Sequence, residues 1–181
     1  RSTRKESSAA SDVYKRQASL SKEVLMSVES DSLQIALDNI QECYEALVDR
    51  AQLLVDGYWH EWRERNKQIF NSGLKPGEAN YVNTGRLAPR LKKSKITHRV
   101  YLEWLDWKKT TYRKYQNPRS GVQIKPNKRD GYTWTTISKK ANAWEKILFD
   151  KYEPLFKALR KALAVMADQI SMLKKTIKLL S

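Results

Sequence analysis

Residues 86–140 read RLAPRLKKSKITHRVYLEWLDWKKTTYRKYQNPRSGVQIKPNKRDGYTWTTISKK, and the rest of the chain is arranged around them. The stretch carries sixteen Lys or Arg residues and three acids, Glu103, Asp106 and Asp130, a net of +13. Residues 18–85 carry six basic and eleven acidic side chains, and residues 141–181 carry eight and four. The positive field therefore originates in the middle of the chain. Like charges packed this densely repel one another and cost stability, so the block asks for an anionic partner. Aromatics are interleaved with the charge: Tyr101, Trp104, Trp107, Tyr112, Tyr115, Tyr132 and Trp134. A disordered basic tail lacks such side chains, so a folded head with a cationic face is expected.

Inside the block, polar and apolar residues alternate from Lys95 to about Trp107. Ile96, His98, Val100, Leu102 and Trp104 stand against Thr97, Arg99, Tyr101 and Glu103, which predicts a strand. Residues 117–130, NPRSGVQIKPNKRD, carry turn chemistry. Gly131 to Ser138, GYTWTTIS, predicts a second strand, paired with the first as a long hairpin or joined to it in a small sheet.

On either side the period changes. Leu33, Leu37, Ile40, Tyr44, Leu47, Ala51, Leu54 and Tyr58 alternate spacings of four and three, a heptad seam that predicts a helix over 31–70. Ser30 or Asp31 suits its N-cap. Gly57 interrupts the run at about 1 kcal/mol and makes a bend plausible. Trp59 and Trp62 share one face and are expected to end the seam against another element. Residues 71–94 are rich in Gly, Asn and Pro early on and are expected as loop. Beyond the block, Trp144, Leu148, Tyr152, Leu155, Leu159, Ala162, Met166, Ile170, Leu173, Ile177 and Leu180 predict a helix over 142–181. Pro154 falls inside it, so a kink or break at Glu153 is expected. The expected fold is α+β: a long antiparallel helical hairpin flanking a small antiparallel β head at 95–140 with basic loops, all one elongated domain over 31–181. The alternative architecture uses one seam for dimerisation.

Residues 7–17, SSAASDVYKRQ, back-translate codon for codon into a common transposase sequencing adapter. Residues 1–17 are therefore expected to be a sequencing scar without structure, and residues 18–30 an unassigned tail in which Met26 is a candidate natural start. Without the scar the net charge falls from +15 to +12, and the cationic reading stands.

Composition excludes several classes. No apolar run follows a basic N-region, and no stretch approaches eighteen apolar residues, so neither a signal peptide nor a membrane span is read and a cytoplasmic protein is expected. One cysteine, Cys43, excludes an internal disulfide and a cysteine metal site. The two histidines, His60 and His98, fall in different elements without ligand spacing. Nine tyrosines raise the chemistry of DNA-nicking relaxases, but the histidine cluster that holds their metal is missing. The six glycines are scattered and form no phosphate-cradling loop. No catalytic residue, metal or cofactor is read, and the chain is expected to be no enzyme.

What remains is anion binding. The phosphate-binding candidates are Arg86, Arg90, Lys92, Lys93, Lys95, Lys108, Lys109, Arg113, Lys114, Lys128, Arg129, Lys139 and Lys140. Arg119 and Lys125 lie between the expected strands and are candidates for reaching into a groove. Exposed Trp or Tyr rings would stack on unpaired bases, although Trp104 and Trp134 suit core packing better.

At Tyr58-Trp59, Gly85-Arg86-Leu87-Ala88-Pro89-Arg90 and Glu103-Trp104 the chain resembles the MobI-type conjugative transfer proteins of plasmids and integrative elements. The resemblance covers roughly residues 45–175, and the GRLAPR segment is its most specific part. It implies an auxiliary factor at an origin of transfer that helps a relaxase without cutting DNA, and it makes Arg86 and Arg90 the first positions to test. The reading is a non-enzymatic protein, monomer or homodimer, binding double-stranded DNA in mobilisation, with a relaxase as a further partner. The rivals are an RNA-binding or ribosome-associated protein, and a coiled-coil adaptor whose basic head meets an acidic protein.

Overall fold

The computed structural model describes residues 6–107, 121–127 and 131–180, with side chains from Val28 onward. Helix α1 runs Glu6–Asn71, strands β1, β2 and β3 cover Leu87–Lys93, Val100–Asp106 and Val122–Gln123, helix α2 covers Trp134–Ile137, a 3-10 turn covers Ser138–Lys140, and helix α3 runs Glu145–Leu180. The fold class is α+β, with two long helices and one antiparallel sheet in the order β1-β2-β3. The chain forms two compact units, one of residues 44–165 and one joining the first part of α1 to the last part of α3.

In the second of these units the seam is only partly covered. Leu37 is buried, while Leu33, Ile40 and Ile170 are half-buried. Helix α1 begins at Glu6 rather than near Asp31, so the expectation of an unstructured segment through residue 17 is corrected for residues 6–17. Extending an existing helix needs no new nucleus, which makes such an extension cheap.

The 44–165 unit holds the core. Here α1 and α3 run antiparallel: Tyr58 meets Tyr152 edge-on at 5.4 Å, the Tyr152 hydroxyl donates to Glu61 at 2.6 Å, and Trp62 donates to Glu145 at 3.1 Å. Tyr152 also packs close over Gly57, where a Cβ would lie 3.2 Å from its hydroxyl. That close approach explains a glycine inside an unbroken helix. Pro154 does not break α3 either, which continues to Leu180.

Trp104 of β2 sits fully buried at the centre of this core, against Tyr58 at 5.2 Å, Phe149 at 5.4 Å and Phe156 at 5.6 Å. Leu87, Leu102, Ile124 and Ile137 complete the packing, and Trp134 is half-buried against it. Interlocking rings of this size supply both buried area and geometric specificity. Trp104 also donates its indole N–H to Glu153 at 2.7 Å, and Glu153 pairs with Arg160, whose guanidinium lies 4.9 Å from the centre of the Tyr132 ring.

Burial pushes the Glu153 carboxyl above its usual range, against the opposing pull of Trp104 and Arg160. A carboxyl raised in the folded state contributes stability that is fully present below its unfolded value and is lost as pH rises through its folded value. The stability difference between the parent chain and Glu153→Gln is therefore expected to shrink as pH rises from the ordinary carboxylate range, read from urea midpoints at each pH. A difference that grows with pH would contradict this.

Three local expectations are corrected. Residues 87–93, expected as loop, form β1. Pro89 and the lysines argue against a strand by composition, but β1 is the sheet edge, where a missing N–H is tolerated and lysines blunt unwanted pairing. The strand expected from Lys95 begins only at Val100, because Ser94 and Arg99 close a turn: Ser94 N–H donates to Arg99 O at 2.8 Å and Thr97 N–H to the Ser94 hydroxyl at 3.1 Å. His98 takes a left-handed φ of 56° there rather than a sheet conformation. Of residues 131–138, expected as the second strand, only Gly131 makes a β-bridge, to Asn127, while 134–138 form α2 and the start of the 3-10 turn. The Thr133 hydroxyl caps α2 by accepting from Thr136 N–H, and this side chain-to-backbone bond outweighs the β preference of the threonines.

Candidate nucleic-acid interface

The β1–β2 hairpin is the element that presents the basic block. Its register pairs Ala88 with Leu105, Arg90 with Glu103 and Lys92 with Tyr101, and directly opposed residues share a sheet face. Gln123 of β3 pairs with Leu105 and so continues the same face.

The GRLAPR segment enters this hairpin under strong constraint. Gly85 N–H donates to Asn66 Oδ1 at 2.6 Å. Arg86 N–H and Leu87 N–H both donate to Glu145 Oε1, at 2.8 and 2.7 Å. Leu87 O accepts from the Tyr58 hydroxyl at 2.7 Å, and Pro89 O accepts from Trp59 Nε1 at 3.1 Å. Burial, and Glu145 after it, pushes the Tyr58 hydroxyl well above its usual range, which keeps it a donor. The aromatic pair at the end of the α1 seam thus meets this segment: Tyr58 and Trp59 hold its carbonyls, and Trp62 and Asn66 hold its start.

Gly85 fits because nothing larger does. A Cβ there would run into the Trp62 indole nitrogen and lie 2.8 Å from the Trp144 ring. Gly85→Ala is expected to cost about 1–3 kcal/mol by overpacking. Displacement of Trp62 is expected to red-shift the tryptophan emission at the same time.

The structure places the two arginines of this segment in ion pairs. The Arg86 guanidinium is bidentate on Asp106, with bonds of 3.0 and 2.6 Å, and Arg90 reaches Glu103 at 3.1 Å. Glu103 also accepts from Gln123 Nε2 at 3.0 Å. Asp106 and Glu103 are both buried, so each arginine neutralises a carboxylate that the sheet keeps from water.

Lys92, Lys93 and Lys95 differ: all three are exposed, and they converge at the turn end of the hairpin on an open groove of about 540 Å³ that Ile96, Tyr101 and Gln123 also line. Lys125 is exposed just beyond β3, Lys139 is exposed and Lys140 half-buried in the 3-10 turn, and none of these lines the groove. Lys108, Lys109, Arg113, Lys114, Arg119, Lys128 and Arg129 lie outside the described residues. Sequence gives no contact role to Ile96 or Gln123, and Tyr101 enters only as one of the exposed Trp or Tyr rings expected to stack on bases. The signal for Tyr101 was the strand alternation, which needs the register with Lys92 before it points to a shared face.

Among the described residues no group of three or more His, Cys, Asp or Glu side chains is arranged to hold a metal ion. His60 is exposed on α1, and Cys43 is exposed. Among the described residues no helix is long and apolar enough to cross a membrane.

The family model described as MobI protein matches residues 47–174. No curated protein and no solved structure matches the chain.

Proposed function

The chain belongs to the MobI family, and we propose that it acts in conjugative mobilisation as a non-enzymatic accessory protein. In this reading it grips duplex DNA at an origin of transfer, beside a relaxase, through the turn end of the β1–β2 hairpin. The observation that carries the reading is the division of labour among the cations of β1. Arg86 and Arg90 are taken up by Asp106 and Glu103, whereas Lys92, Lys93 and Lys95 make no ion pair among the described residues and face one groove. A two-stranded ribbon is narrow enough to enter the major groove, and lysines at its end meet phosphates as point charges. Lys108, Lys109, Arg113, Lys114, Arg119, Lys125, Lys128, Arg129, Lys139 and Lys140 belong to the same basic block and extend the proposed contact along the backbone of the duplex.

The experiment is a titration of the chain with labelled duplexes tiling a transfer-origin region, with a scrambled duplex beside them, at several salt concentrations. Expected is site-preferring binding whose log affinity falls linearly with log salt. Absence of binding at low salt would overturn the reading in favour of a protein partner for the basic head.

A further inference from the structure

The groove at the hairpin turn has more than charge in it. Its volume of about 540 Å³ lies in the range of small-molecule sites, roughly 300–1,000 Å³. Duplex phosphates need only a positive surface, not a concavity with an aromatic wall. Tyr101 stands 46 % exposed on the sheet face beside Lys92, its register partner. Ile96 stands 91 % exposed at the turn and gives the groove a second apolar surface.

The floor of the groove is also prepared for an anionic, hydrogen-bonding ligand. Glu103 would repel phosphate if it stood alone, but Arg90 neutralises one of its oxygens and Gln123 Nε2 occupies the other. A carboxylate only accepts, so that bond fixes the Gln123 amide with its nitrogen toward Glu103. The Gln123 oxygen is left to accept from a ligand.

We propose that this groove binds an unpaired nucleotide of a DNA strand. Its base stacks on Tyr101 with an edge on the Gln123 amide, and its flanking phosphates lie on Lys92, Lys93 and Lys95. A paired base hides both ring faces in the helix stack, so only an opened strand offers the face that Tyr101 can cover. This rests on the reading of the hairpin as the DNA interface. It adds that the protein holds locally melted DNA, the form a strand-cutting partner needs.

The test uses the whole chain and short single-stranded oligonucleotides carrying one fluorescent adenine analogue, with duplexes of the same length alongside. Tyr101→Ala, Tyr101→Phe and the Lys92→Ala/Lys93→Ala/Lys95→Ala variant are compared with the parent, each with its fold checked by circular dichroism. Expected is quenching of the analogue on binding, lost in Tyr101→Ala together with about 5- to 150-fold of single-strand affinity. Tyr101→Phe keeps both, and duplex affinity stays level in both tyrosine variants. If Tyr101→Ala binds single strands as the parent does while the lysine variant still loses duplex affinity, the nucleotide site is overturned and the duplex reading survives. If the lysine variant loses neither, both fall.

Discussion

Glu145→Ala is expected to lower the stability of the 44–165 unit by about 4 kcal/mol or more. Asn142-Ala143-Trp144-Glu145 opens α3 as half of a capping box, with Glu145 Oε2 accepting from Asn142 N–H at 2.7 Å. The same side chain does more than cap. Its Oε1 accepts from Trp62 Nε1 on α1 and from the N–H groups of Arg86 and Leu87 at the start of β1. One fully buried carboxylate therefore joins α1, β1 and the start of α3. Alanine would orphan four N–H donors at about 1–3 kcal/mol each, with the half-buried ones recovering water. Against a total of about 5–15 kcal/mol for a domain, that loss empties much of the folded population. Glu145→Gln keeps an oxygen for the three donors of Oε1 but turns an amide N–H toward Asn142 N–H, so a smaller loss of about 1–3 kcal/mol is expected.

Urea unfolding followed by tryptophan emission reads both variants, as a fall in midpoint at unchanged slope. An alanine variant within 1 kcal/mol of the parent would show that water replaces the carboxylate and that the junction is held by packing alone. Burial pushes the Glu145 carboxyl up while its N–H donors pull it down. Its contribution, like that of Glu153, is thus largest at low pH and declines as pH rises through its raised value.

Much of the frame was legible because it is written in periods. The seam through Ala51 and Tyr58 and the run through Leu148, Tyr152 and Leu159 are helical by spacing and buried in the core, although Leu155 of the same run is 46 % exposed while Phe156 and Leu163, outside it, are buried. What escaped was set by partners distant in sequence. Pro89 and Lys92 look unlike a strand until β1 is known to be an edge, and Thr133 looks like a strand until its hydroxyl is seen to cap α2. The acids Glu103 and Asp106 counted as strays in a basic block, and only the hairpin register shows that they absorb Arg90 and Arg86. The GRLAPR pattern is for this reason a structural signature: its glycine, its carbonyls and both of its arginines are spent on the junction. A net charge counts charges without saying which are already paired, and so it could not separate the two arginines from the three lysines.

The lysine variant gives that separation a number. Each phosphate contact contributes about 0.9 to the slope of log affinity against log salt, so Lys92→Ala/Lys93→Ala/Lys95→Ala is expected to flatten the slope by about 2.7. At about 0.15 M salt the same three contacts amount to roughly a hundredfold in affinity. These side chains are exposed and form no ion pair among the described residues, so the variant is expected to keep the parent's urea midpoint. Arg86→Ala/Arg90→Ala is expected to do the reverse. Removing them takes the paired cation from two buried carboxylates, at about 1–3 kcal/mol each, while the salt slope of whatever remains folded stays near the parent's. The lysine variant removes three positive charges and the arginine variant two, so lowering the net charge alone predicts flattened slopes in both rather than in one. A lysine variant with the parent's slope beside an arginine variant with a flattened one would move the contact surface off the hairpin turn and onto the start of β1. The expected pattern, stability moving in one variant and salt dependence in the other, assigns the arginines to the sheet and the lysines to the phosphates.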